Sequence, residues 1–215
     1  MANATLEHGA IEHGMPGAYE APLFGAYSKK VGMWLFLASD SLTFGALLFA
    51  FSYNRIYTAW PTPFHAASIA NATIMTACLL SSSLTMVMAV MASQRNDRKK
   101  TVMWMVLTML GGLIFTGLHL TEWMNMIFKE HFTIVSNPDG SPLFGAVFFG
   151  ITGLHMTHVM IGVIYLGIVA VGFGRGKFSA EDVEVNGLYW HFVDLVWLFV
   201  FPMIYLMSVK YMPGN

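Results

Sequence analysis

Charge is what this chain has least of. Asp, Glu, Lys and Arg make up 11% of its 215 residues, against about 25% in an average soluble domain. With 56% hydrophobic residues, the apolar surface exceeds what a single water-soluble core can hide. Cysteine is almost absent: Cys78 alone excludes an internal disulfide, a CxxC metal pair and a two-cysteine copper centre. No Gly-rich phosphate loop and no nucleophile elbow occurs, so the signatures of a free-standing soluble enzyme are missing. Residues 1–30 lack the basic start and the apolar core of about 7–15 residues that a secretory signal needs. Gly, Ala, Pro and Glu dominate that stretch, which predicts a solvated or loosely docked tail. The Glu7-His8 and Glu12-His13 pairs within it imply no fixed geometry for a metal. A net charge of -1 gives no global attraction to nucleic acid.

What is present is five long apolar runs. A helix rising 1.5 Å per residue needs about 20 apolar residues to cross the hydrocarbon of a bilayer. Residues 31–53, 69–92, 102–128, 143–173 and 188–209 meet that length, and none shows the alternation of a barrel strand. The expected fold is therefore all-α, an integral membrane bundle of five transmembrane helices. It divides into an N-terminal tail (1–30), the bundle (31–209) and a short outer tail (210–215). Eight of the eleven basic residues fall on one side of the spans: Lys29, Lys30, Arg95, Arg98, Lys99, Lys100, Arg175 and Lys177. Arg55, Lys129 and Lys210 fall on the other. By the positive-inside rule the N-terminus is expected in the cytoplasm and the C-terminus outside.

Trp60, Trp123 and Trp190 lie near predicted span ends, where an interfacial belt is expected. Small residues recur four apart at Ser41/Gly45, Ala77/Ser81, Thr85/Ala89 and Ala146/Gly150, spacing that suits ordinary helix packing. Pro202 is expected to bend the last span, because it removes one backbone donor.

Ionisable groups inside the spans carry the functional signal, since a central Asp costs about 2.5–3.5 kcal/mol to insert. Asp40 lies about 15 Å into the first span, with no Lys or Arg at its depth in that span; it is expected to be a neutral acid or to bond to lipid or water. His119 and Glu122, with Trp123 beside them, occupy the third span. His155 and His158 share one face of the fourth, and His191 and Asp194 one face of the fifth. The last four are expected at similar depth in the cytoplasmic leaflet, as one polar cluster that fixes packing or holds a lipid headgroup or partner. Two histidines on different helices at one depth, His155 or His158 with His191, also fit axial haem ligation. Tyr189, Trp190, Phe192 and Trp197 crowd that place.

Taken in order, these segments resemble cytochrome c oxidase subunit III. WLFLASDSLTFGALLFAF is similar to the family's buried acid before an aromatic-rich stretch, and NATIMTACLLSSSLT to its Asn followed by a Ser-rich run. GGLIFTGLHLTEW, FGAVFFGITGLHMTHVMIGVIYL and YWHFVDLVWLFVFPMIYL continue the series. The resemblance covers residues 31–209. It implies an accessory subunit with no cofactor and no metal of its own, packed against a catalytic subunit I that holds haem and copper. It also implies roles in stabilising that core, supporting proton uptake and binding phospholipid, in a bacterial plasma membrane. Asp40 takes the place of an acid that is commonly Glu in the family. Longer members have seven helices, of which this chain resembles the last five.

Subunits of quinol oxidases and of nitric oxide reductase systems share the pattern. The residues alone also leave open a haem-bearing membrane anchor of a dehydrogenase and a small transporter.

Overall fold

A computed structural model describes residues 28–135, 138, 140–141 and 143–208; the expected tails, 1–30 and 210–215, lie largely outside them. Five helices long and apolar enough to cross a membrane follow one another: α1 (Ser28–Tyr57), α2 (Ala66–Gln94), α3 (Arg98–Phe128), α4 (Leu143–Gly174) and α5 (Ala180–Val200). No strand of more than an isolated bridge occurs among the described residues. Each apolar run is thus a helix, as a backbone in lipid must satisfy its own hydrogen bonds. The helices outrun the apolar spans because backbone pairing continues into the polar margins. α5 starts at Ala180, eight residues before the apolar run at Leu188, where the Asp182 carboxylate accepts hydrogen bonds from Ser179 N–H (2.8 Å) and Oγ (3.0 Å). α3 starts on Asp97, whose side chain accepts the Lys100 N–H at 3.2 Å.

Pro202 acts where its missing donor predicts. After Val200 the helix widens into one π turn, Phe201–Tyr205, and tightens into a 3₁₀ turn, Leu206–Ser208. The Leu206 N–H serves both the Phe201 and Pro202 carbonyls.

α4 and α5 form the centre; 44% of the most apolar window of each is buried, against 17% for α1. α2 and α3 make the most extensive pair. α1 packs mainly on α5 and α4, and its only buried residues are Leu37, Phe44 and Phe51, one narrow seam at heptad spacing. At the end of the bundle rich in Lys and Arg, Lys29 pairs with Asp182 (2.6 Å) and Lys30 with Glu184 (2.8 Å), tying α1 to α5.

Trp190 corrects the belt expectation. It is fully buried, not interfacial. A Cβ at Gly112 would lie 2.5 Å from its Cη2 and one at Gly162 3.0 Å from its ring, so two glycines clasp the indole. Its Nε1–H donates to Ser82 Oγ at 3.1 Å. Indole planes this wide need facing glycines on both neighbouring helices, and neither span reveals the other's register. Among the four-apart small pairs, Thr85 and Ala89 serve packing, with Thr85 Oγ1 2.7 Å from Thr108 Oγ1 and Ala89 buried. Gly150 faces open space.

Candidate functional site

The intramembrane acids and imidazoles sort into three separate places. The first joins α1 to α4. His158 Nδ1 lies 2.8 Å from the Leu154 carbonyl, an acceptor only, so Nδ1 carries a proton. Its Nε2 lies 3.3 Å from Asp40 Oδ2. With Nδ1–H committed, one further proton between Nε2 and Oδ2 makes the contact attractive: imidazolium with carboxylate, or imidazole with carboxylic acid. Phe44 packs edge-on to the His158 ring at 5.4 Å, and Tyr189 donates its hydroxyl to the His158 carbonyl at 3.0 Å. Asp40 was expected to be a neutral acid or to bond to lipid or water, with no Lys or Arg at its depth in the first span. That expectation considered α1 alone, and the partner comes from another helix.

The second place lies toward the opposite end, among α2, α3, α4 and α5. Glu122 Oε2 accepts from Asn71 Nδ2 at 3.0 Å, both on segments facing the bundle interior. Trp123 Nε1–H donates to Thr152 Oγ1 at 3.2 Å and Trp197 Nε1–H to Thr76 Oγ1 at 2.9 Å. His119 is fully buried; its ring packs edge-on to Trp123 (5.8 Å) and Trp197 (5.5 Å), and neither ring nitrogen has a hydrogen-bond partner. The imidazole is thus held by ring packing against two indoles.

The third place involves α2 and α5. His191 Nδ1 lies 2.6 Å from Ser83 Oγ, and the buried Asp194 sits beside that hydroxyl without a well-formed hydrogen bond of its own. His155, although on the same helix as His158, turns inward: Nε2–H donates to the Val193 carbonyl at 3.1 Å and the ring packs on Trp197 at 5.0 Å.

The expected single cluster of His155, His158, His191 and Asp194 is therefore divided. His158 belongs with Asp40, His155 with the aromatic core, and His191 and Asp194 with Ser83. Residues three apart on a helix diverge by about 60° when viewed down the axis, enough to reach different neighbours in a packed bundle. Asn71 and Ser83 fall in the Asn and Ser-rich run of α2 but were not singled out as site residues; nothing in the spacing of α2 separates Ser83 from Ser81 or Ser82, and only the facing helix selects it. Among the described residues, no group of three His, Cys, Asp or Glu is placed to hold a metal ion. His155 spends Nε2 on a backbone carbonyl, so that nitrogen is not open for the axial haem ligation considered for its pairing with His191.

The arrangement defines a polytopic helical membrane protein whose buried polar groups bind helix to helix. A family model described as cytochrome c oxidase subunit III matches residues 17–209. The chain is 31% identical over 207 residues to cytochrome c oxidase subunit 3 of Alkalihalophilus pseudofirmus, covering 94% of this chain and 98% of the relative. It is also 31% identical over 209 residues to quinol oxidase subunit 3 of Bacillus subtilis, covering 93% and 98%, and 31% over 198 residues to cytochrome c oxidase subunit 3 of the same organism, covering 90% and 93%. This chain belongs to the cytochrome c oxidase subunit III family and is a subunit of a multi-subunit respiratory oxidase.

Proposed function

We propose that this chain is the accessory subunit of a haem-copper terminal oxidase, docked on a catalytic subunit I that carries the haems and copper and pumps protons as it reduces oxygen to water. It has no catalytic centre and no redox cofactor of its own. Its work is to stabilise the core, to retain phospholipid and to support proton uptake at the cytoplasmic side. The observation that carries this reading is the use of the polar side chains. Asp40, Glu122, His155, His158 and His191 each face a partner on another helix, which is how a scaffold spends its buried polarity. Asp40, His119, Glu122, Trp123, His155, His158, His191 and Asp194 are accordingly structural or lipid-facing, not catalytic.

The Lys and Arg bias supports a cytoplasmic N-terminus in a bacterial plasma membrane. Cytochrome c is the preferred donor. A quinol-fed complex is the second reading, favoured by the equal identity to relatives of both names. Mild detergent extraction, then mass spectrometry and a visible spectrum of the co-purifying chains, tests the proposal. Co-migration with a large haem- and copper-bearing chain is expected; a flavoprotein partner, or haem held by this chain alone, overturns it. Oxygen uptake driven by reduced cytochrome c but not by quinol separates the two donors.

A further inference from the structure

Two adjoining cavities run between α1 and α5. The larger, about 490 Å³, is lined by Trp34, Ala38, Ser41, His191, Phe192 and Leu195 among others. The smaller, about 260 Å³, shares Ser41, Phe192 and Leu195 and continues past Gly45 and Leu48 to Phe199. No atom lies within 4 Å of where a Gly45 Cβ would stand, so the small residues of α1 open the groove instead of closing on α5. From Trp34 to Leu48 it follows about 21 Å of helix.

The lining is apolar apart from Ser41 and one imidazole, and it contains no Lys, Arg, Asp or Glu. His191 Nδ1 is taken by Ser83, which leaves Nε2 as the ring nitrogen available to the cavity. Behind Ser83 sits the buried Asp194. A hydrogen-bonding histidine, backed by a hydroxyl and an acid, therefore closes an otherwise greasy slot flanked by Trp34 and Phe192.

Depth decides between membrane amphiphiles. α1 has 30 residues, about 45 Å, against about 30 Å of hydrocarbon, so about 7 Å projects at each end. Leu37 and Ser41, which line the cavity with His191, then lie about 6 and 12 Å below the hydrocarbon edge. A phosphodiester held there would be buried without a cation, which is costly. A neutral ring carrying one or two oxygens meets no such penalty, and the cavity volume suits a small ring with a tail.

We propose that this groove binds a membrane-soluble isoprenoid quinone or quinol. The ring occupies the wider cavity between Trp34 and Phe192, with one ring oxygen hydrogen-bonded to His191 Nε2, and the tail runs along the narrower cavity past Gly45. The assignment is of binding only, with no electron step, and it rests on the membrane-spanning fold, not on the identity of the oxidase donor. The test uses the complex isolated in native membranes and an azido-quinone with a short isoprenoid tail, with sites of photolabelling mapped by mass spectrometry. Label is expected on residues 34–41 and 188–195 of this chain. His191→Ala should lower labelling there about fivefold to tenfold, the loss of one hydrogen bond, and Leu195→Trp should abolish it by filling the slot. Leu195 is 51% exposed, so that variant tests the groove without burdening the core. Label spread evenly over all lipid-facing helices, label indifferent to both substitutions, or label displaced by excess phosphatidylcholine but not by unlabelled quinone would each overturn the proposal.

Discussion

At the scale of single residues, the decisive quantity is how closely a side chain is held. Gly112 has no room: an added Cβ would meet Trp190 at 2.5 Å and Val163 at 2.9 Å. Gly112→Ala is expected to cost about 1–3 kcal/mol, as overpacking does, whereas Gly45→Ala, into open space, should stay within about 0.5 kcal/mol. Unfolding in detergent with rising SDS compares the two. The Asp40–His158 contact makes a different prediction. Asp40→Ala leaves an imidazole facing nothing, so loosened α1 and faster loss of bound lipid on storage are expected, with initial oxygen reduction by the assembled complex unchanged. Immediate loss of turnover would show instead that the pair touches the chemistry.

Asp97 offers a titration outside the membrane. The Lys100 backbone N–H, then the Lys100 ammonium 3.2 Å away, hold its carboxyl below the usual carboxylate range. A carboxyl lowered in the folded state adds stability that is fully present above its ordinary pKa of about 3.9 and is lost as pH falls through the lowered value. Amide exchange in the first turn of α3 should therefore quicken only in that acid range. Asp97→Asn, which keeps an acceptor but not the charge, should flatten the response.

Helices, in contrast to single side chains, were largely legible in the primary structure. Five runs of apolar residues long enough to cross a bilayer leave the backbone one choice, and all five became helices. Their ends were less legible, because capping at Asp97 and Ser179 depends on local hydrogen bonds and not on hydropathy. The site was readable as a set of residues but not as a set of pairs. Asp40, Glu122 and His158 announce themselves by the cost of burying them, but whether His158 meets Asp40 or His191 depends on how α4 is rotated against α1 and α5. Hydropathy is silent on rotation, since every face of these helices is apolar; Trp190 was misplaced for the same reason. α1 carries the clearest prediction at this scale. Its seam is three residues wide, and Phe44 is the central one. In lipid only packing, not transfer from water, is forfeited, so Phe44→Ala should loosen α1 by about 1–2 kcal/mol. Removing both Lys29 and Lys30 should cost less than about 1 kcal/mol, as exposed ion pairs do. Hydrogen–deuterium exchange of residues 28–57 against 143–174 reads both outcomes.

For the whole molecule, the division of polar groups into three places spreads the buried ionisable residues over separate helix contacts. Each place joins a different set of helices: α1 with α4, α2 and α3 with α4 and α5 around Glu122 and His119, and α2 with α5 at Ser83. Breaking one should therefore leave the others formed. Asn71→Ala, which strips Glu122 of its partner, is expected to lower stability by about 1 kcal/mol while the Asp40–His158 contact persists. Orientation belongs to this scale too. Single cysteines at Arg95 and at Thr62 in a Cys78→Ser background should differ in their reaction with an impermeant maleimide added to intact cells, with only position 62 modified.

The thin seam of α1 has a further consequence for how the polypeptide is born. Its lysines meet acids 153 and 154 positions further along the chain, and Asp40 and Phe44 meet His158 of α4, so α1 gains these partners only once α4 and then α5 have been synthesised. During that interval its acid lies in lipid without the histidine that later faces it.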